Sequence, residues 1–337
     1  MVDRILVYSQ RASAVWKHMS ADMAHGFRKL GTDVQFVEEL HNEPKEMITE
    51  SISLYWRDIV RCQLEFKPEV IFQMGHLRFA YPHGMWSGNA IHVTWVQDWH
   101  HWIIGVEAAW AISNADQVRL FNASKDWIFY SFPALGEAII KQGYCKERVR
   151  FLPPGVNEDR FYWDGNGNYI RRKFEIGFPC NVGAPMTSGD PIRLAHRLDP
   201  VRWLIEAGEC VKLWGKGWDA YDWATPHWLG EVKNGPELRR AYGECQAILQ
   251  SNTDTGFHQR VYEAIRCQAW VLRRKVDDCQ EMTGVSEFST KDELLDLVAC
   301  RKRSGGLMFY EDFQTDLIRD HSYTSRCQDI LNAVHNL

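Results

Sequence analysis

Short apolar runs alternate with stretches of helical spacing along most of the chain. Residues 5–8 form an apolar run, and residues 13–30 repeat their apolar positions every three or four residues before Gly31. Residues 33–37 predict a strand, 46–66 a long amphipathic helix, and 69–74 a third strand that ends at Gly75. Residues 91–96 and 117–121 predict two more strands, 125–142 a helix that stops at Gly143, and 149–152 a sixth strand ended by Pro153-Pro154-Gly155. Strands separated by helical patterns predict a parallel sheet covered on both faces.

A Gly-, Asn- and charge-rich stretch over 162–172 reads as a connector. A second alternating unit follows it. Strands are expected at 180–182, 211–214, 247–250 and 269–272. Helices are expected at 190–207, 236–242, 259–267 and 291–299, the last capped by Ser289-Thr290. The tail from 309 to 337 reads as helical throughout. The fold class is therefore α/β, with two Rossmann-like doubly wound domains facing a cleft. The expected division is a first domain over 1–165, a second domain over 166–315, and a C-terminal helix over 316–337. Ligand is expected in the cleft, at the C-terminal ends of the strands.

Composition narrows the classes. The 337 residues suit two cores rather than one. The net charge of -5 comes with no block of like charge, so a large nucleic-acid footprint or an anionic membrane surface finds no support. Nine scattered Cys without a CxxC pair suggest reduced thiols in a cytoplasmic protein rather than a disulfide frame or zinc site. The start of the chain lacks a signal-peptide core, and no apolar run is long enough to span a membrane. The 15 Trp are numerous; most such residues fill cores, but their faces also suit stacking on sugars or bases.

Two pieces carry the chemistry. Val211-Lys212-Leu213-Trp214 runs into Gly215-Lys216-Gly217, a strand ending in a glycine loop. Gly256-Phe257-His258 then leads into a helix with Arg260 and Glu263 three residues apart on one face. Taken singly, the first is an ordinary turn and the second a helix ion pair. At successive strand ends of one domain they converge: glycine turn, Lys216, Arg260 and helix amides suit a diphosphate, and Glu263 suits ribose hydroxyls. Glu231 and Val232, after Gly230, edge the expected base pocket.

Residues 201–337 resemble the C-terminal half of GT-B glycosyltransferases, in particular the spore-maturation (CgeB-like) branch of the group 1 enzymes. The resemblance rests on Leu213-Trp214-Gly215-Lys216-Gly217-Trp218, Leu229-Gly230-Glu231-Val232, Arg260-Val261-Tyr262-Glu263-Ala264 and His321-Ser322-Tyr323-Thr324-Ser325-Arg326, in that order. The N-terminal half is similar more loosely, in Trp95-Val96-Gln97-Asp98 and Leu152-Pro153-Pro154-Gly155-Val156-Asn157. The resemblance implies a sugar-nucleotide donor held by the second domain and a last helix that crosses back onto the first. Two positions depart from the family pattern. Gln268 stands where the family usually has Gly, so the tight turn after the helix is expected to differ. Thr255 stands where many retaining enzymes carry an acid, so a retaining outcome is not assigned by analogy.

Catalytic candidates follow the fourth strand, in Asp98, His100 and His101. An acceptor hydroxyl needs a base, and His titrates nearest neutral pH. The same histidines read equally as strand-end caps or solvated side chains. His76, Arg78 and His83, with Gln10, Arg11 and Ser13, are acceptor-side candidates whose alternative is polar surface loop. No D-x-D triplet occurs, which argues for a metal-independent enzyme with no cofactor beyond its nucleotide-sugar co-substrate. The expected activity is transfer of a sugar from a nucleoside-diphosphate donor, UDP-linked as a first reading, to a hydroxyl of a glycan, protein, metabolite or modified nucleobase. The alternatives are a DNA-modifying transferase acting on hydroxymethylated pyrimidine and a non-catalytic sugar-nucleotide-binding protein.

Overall fold

The computed structural model describes residues 2–9, 14–38, 59–75, 89–97, 113–163, 175–182, 191–251, 258–276, 282–303 and 311–336. The chain divides into two compact units, residues 1–154 with 323–337, and residues 155–322.

The first unit begins with β1 (Arg4–Ser9), α1 (Ala14–Lys29) and β2 (Asp33–Glu38). Residues 59–66 are helical; the earlier part of the helix expected over 46–66 lies outside the described residues. Then come β3 (Val70–Met74), β4 (Ile91–Val96), α2 (Asn114–Ala123), β5 (Trp127–Tyr130), α3 (Pro133–Lys141) and β6 (Val149–Phe151). The six strands form one sheet in the order β2-β1-β3-β4-β5-β6, and every pairing is parallel. All five residues of β3 are buried, as a parallel sheet covered on both faces demands.

Two expected elements exchange identity here. Residues 117–121 are helical, not strand. Their apolar alternation gives way to a face built on Gln117 and Phe121, and Ser113 caps the helix by accepting the Asp116 N–H at 3.2 Å. Residues 127–130, expected inside a helix, form β5, and Pro133 opens the helix that follows.

The second unit contains β7 (Ile176–Pro179), α4 (Pro191–Glu206), β8 (Val211–Trp214), α5 (Pro236–Glu244), β9 (Ala247–Gln250), α6 (Gln259–Arg266), β10 (Trp270–Arg274), β11 (Val285–Phe288), α7 (Lys291–Arg303) and α8 (Glu311–His321). Its sheet runs β11-β10-β9-β7-β8, again all parallel. The strand expected at 180–182 lies earlier, in β7. β11 is an edge strand that the apolar pattern does not announce. Most of the connector expected over 162–172 lies outside the described residues.

The tail is two helices rather than one. Ser322 leaves the helical path and pairs with Val156, and α9 (Tyr323–His335) follows. That last helix belongs to the first unit. There the Tyr323 ring meets Trp95 edge-on at 6.2 Å and Cys327 Sγ donates to the Met23 carbonyl at 3.2 Å. Gly26 of α1 lets the two helices meet: a Cβ there would lie 2.8 Å from Cys327 Sγ and 2.9 Å from the Tyr323 oxygen. Trp95, fully buried, donates its indole N–H to the Leu152 carbonyl at 2.9 Å.

Candidate functional site

In the second unit β8 lies to one side of β7 and β9, β10 and β11 lie to the other. The strand order therefore reverses between β7 and β9. In open α/β sheets the crevice outside the strand C-termini at such a reversal is where ligands bind. β7 delivers Cys180 and Asn181 there, β9 delivers Ser251, and α6 follows β9.

The glycine loop after β8 is pinned from several directions. Gly215 has φ of 116° and donates its N–H to the Gly230 carbonyl at 2.9 Å. A Cβ at this position would lie 2.5 Å from the Cys180 carbonyl oxygen and 2.7 Å from Asn181 Oδ1, so only glycine fits. Asn181 Oδ1 accepts the Lys216 N–H at 2.9 Å, and the Val182 N–H donates to the Lys216 carbonyl at 2.8 Å. Trp218 donates to the Cys180 carbonyl at 2.8 Å, and Trp228 to the Gly215 carbonyl at 2.9 Å. Two of the many tryptophans thus serve as braces for this loop. Gly217 is also left-handed, with φ of 87°. The Lys216 ammonium is 67% exposed and sits 3.6 Å from Glu231, a pair too solvated to contribute much stability. Val232 packs partly against the apolar cluster beneath α5 and α6.

His258 is the N-cap of α6. Its Nδ1 accepts the Arg260 N–H at 3.2 Å, while its carbonyl accepts the Val261 N–H at 2.9 Å. Two first-turn amides are therefore satisfied within the protein. Burial, then the charges of Arg260 and Arg197, push the imidazole down to about 3, so His258 is neutral with its proton on Nε2. Burial works against the Arg260 charge, but its surroundings, Cys180 and the Glu263 carboxylate among them, outweigh burial and hold it above its ordinary value.

Glu263 is 3% exposed, and its Oε2 accepts the Tyr242 hydroxyl at 3.0 Å. Arg260 and Glu263 share a helix face, as their spacing predicts, and Glu263 bonds Tyr242 from α5. Cys180, Asn181, Arg197 and Tyr242 were not singled out in the sequence. Cys180 and Asn181 follow the short β7, which the pattern misplaces; Arg197 and Tyr242 carry no local signal and join the group through tertiary packing.

Gly256 and Phe257 lie outside the described residues, as do Gln10, Arg11, Ser13, His76, Arg78, His83, Asp98, His100 and His101. Among the described residues no group of three His, Cys, Asp or Glu side chains is placed to hold a metal ion. Among them, too, no helix is long and apolar enough to cross a membrane.

No protein-family model matches the chain, and no curated protein matches it in sequence. Solved structures match it in fold along its whole length. A glycosyltransferase from Rickettsia africae ESF-5 superposes with a TM-score of 0.66 at 11% identity, covering 99% of this chain and 98% of that one. Sucrose-phosphate synthase from Thermosynechococcus elongatus gives 0.65 at 10% identity, covering 99% and 98%. HepE from Anabaena, in complex with UDP and glucose, gives 0.60 at 10% identity, covering all of both chains. The fold is GT-B. The fold assignment rests on two all-parallel sheets and full-length structural likeness.

Proposed function

We propose that this GT-B chain is a glycosyltransferase that moves a sugar from a nucleoside-diphosphate donor to an acceptor hydroxyl, with UDP as the first choice of nucleotide. The observation that carries the reading is what meets at the β7/β9 strand reversal: the Gly215 loop pinned on Cys180 and Asn181, and α6 starting on His258 with Arg260 and Glu263 on one face. Structures of the same fold with UDP or UDP-glucose bound lend support. On this reading Arg260, Lys216 and the turn at His258 hold the diphosphate, and Glu263 holds the ribose. Glu231 and Val232 edge the base, with Gly256 and Phe257 completing the turn.

In the reaction the bond between the sugar's anomeric carbon and the diphosphate oxygen breaks, and the acceptor oxygen forms the new one. Negative charge grows on the departing diphosphate. Fixed cations at that point stabilise it without reorganising, and removal of one such contact costs roughly 3–4 kcal/mol in the barrier. We assign the leaving-group role to protein cations rather than to a divalent ion. The acceptor proton passes to Asp98, His100 or His101. The motif order in the second half supports assignment to the CgeB-like branch.

The test is a panel of nucleotide sugars assayed for nucleotide release, with and without pooled acceptors. One donor should release its nucleotide slowly alone and faster with an acceptor. Failure of every nucleotide to bind, or binding untouched by Arg260→Met, would remove the proposal.

A further inference from the structure

We propose that Tyr242 positions Glu263 for the ribose and so sets a preference for ribonucleotide over deoxyribonucleotide donors. The inference rests on Glu263 being the ribose acid.

Tyr242 lies on α5, fully buried, and its hydroxyl donates to Glu263 Oε2 at 3.0 Å. The two helices pack together, so the bond joins two rigid elements. The tyrosine ring is held in turn: it packs on Phe161 at 6.1 Å, within the apolar cluster that also takes in Val261, Tyr262 and Ile265. Nothing about this phenol suggests a proton donor in catalysis. Burial, then the Glu263 charge, push it well above its ordinary value, so it stays protonated and remains a donor at any working pH.

A carboxylate offers about four acceptor positions, and its last torsion is broad and soft. The phenol occupies one position and restrains that rotation. The other positions then face fixed directions, which is the requirement for reading a diol rather than a single hydroxyl. Tyr242 itself touches no nucleotide on this account; it acts through Glu263. A deoxyribose would leave part of a buried, oriented carboxylate without its partner, and sites built to pair with a substrate hydroxyl reject analogues that lack it. Once the phenol no longer holds that oxygen, that rejection weakens.

The experiment measures the affinity of the full-length protein for UDP, 2′-deoxy-UDP and 3′-deoxy-UDP by calorimetry. Wild type should favour UDP over at least one deoxy form by about tenfold or more, as expected for one hydrogen bond to a charged group. Tyr242→Phe keeps the ring and removes only the hydroxyl. It should cut the preference to roughly threefold or less, chiefly through weaker UDP binding, while the melting transition stays cooperative. Glu263→Gln serves as the control. If it abolishes the preference while Tyr242→Phe retains it, Tyr242 is merely structural and this inference falls alone. If Glu263→Gln also retains the preference, the ribose assignment falls and takes this inference with it. Equal weakening of UDP and both deoxy forms by Tyr242→Phe likewise counts against positioning.

Discussion

His258 Nδ1 accepts the backbone N–H of Arg260 at 3.2 Å, so the helix that carries the arginine and the acid starts on a neutral imidazole. That imidazole is held down to about 3 by burial and by Arg260 and Arg197, against an ordinary 6.5. Between these values the unfolded chain binds a proton at this position and the folded chain does not. Stability from His258 is therefore complete above pH 6.5 and is lost as pH falls from 6.5 towards 3. The limiting slope is about 1.4 kcal/mol per pH unit for one proton. His258→Asn replaces the capping Nδ1 with a capping amide oxygen and removes the titration. Denaturant melts of both proteins from pH 7.5 to 4.5 should show the variant losing less stability on acidification. Parallel curves would mean that the imidazole titrates normally.

Gly215 and Gly230 are both left-handed, with φ of 116° and 90°, but their surroundings differ. A Cβ at Gly215 runs into the Cys180 carbonyl and Asn181 Oδ1, whereas a Cβ at Gly230 meets nothing within 4 Å. Gly230→Ala should thus cost only the backbone term, about 1 kcal/mol. Gly215→Ala adds a steric conflict with the strand that feeds the site, and should cost about 3 kcal/mol or more and weaken nucleotide binding. Chemical denaturation of the two variants side by side tests the ranking; equal losses would show that the loop after β8 yields to the added methyl.

These contrasts bear on what could be read from sequence. The glycine loop was legible because glycines at a strand end are required by backbone geometry, which is local. The parallel, two-unit α/β class was legible for a similar reason: apolar runs and helical spacings alternate. β5 was not, because four apolar residues flanked by helical spacing give no periodicity of their own. β11 was not, because three of its four residues are only half-buried at a sheet edge. Within the site, Arg260 and Glu263 were legible as a pair on one helix face, but their partners were not. Tyr242 reaches Glu263 only because α5 packs on α6. Tertiary neighbours of this kind leave no mark at a fixed spacing.

Lys216 and Glu231 make an ion pair at 3.6 Å with both side chains more than 60% exposed. Solvent screening limits such a pair to about 1 kcal/mol or less. Lys216→Met should leave the denaturation midpoint almost unchanged. If the ammonium faces the diphosphate, as proposed, the same change should slow transfer about a hundredfold, because the charge acts on the departing group. The two readouts separate the roles: a stability loss with intact turnover would make Lys216 a structural residue and remove it from the site.

Gln268 closes α6 in the left-handed region, with φ of 62°. The expected change of turn geometry does not occur. The Gln268 N–H donates to the Ile265 carbonyl at 2.8 Å, and the Ala269 N–H reaches back to Ala264 at 2.9 Å, as in a helix end shaped for glycine. The chain therefore keeps the backbone of a glycine turn with a side chain present, at a cost of about 1–2 kcal/mol. Replacing it by glycine removes that strain but frees the unfolded chain, which returns roughly half of the gain. Gln268→Gly should raise stability by about 0.5–1 kcal/mol, and Gln268→Ala should not, since alanine meets the same backbone strain. Because the turn fixes where α6 ends and β10 begins, activity should be unchanged in the glycine variant. Guanidinium denaturation of the three proteins decides the matter: a destabilised Gln268→Gly would show that the glutamine side chain contributes more to this turn than its backbone strain removes.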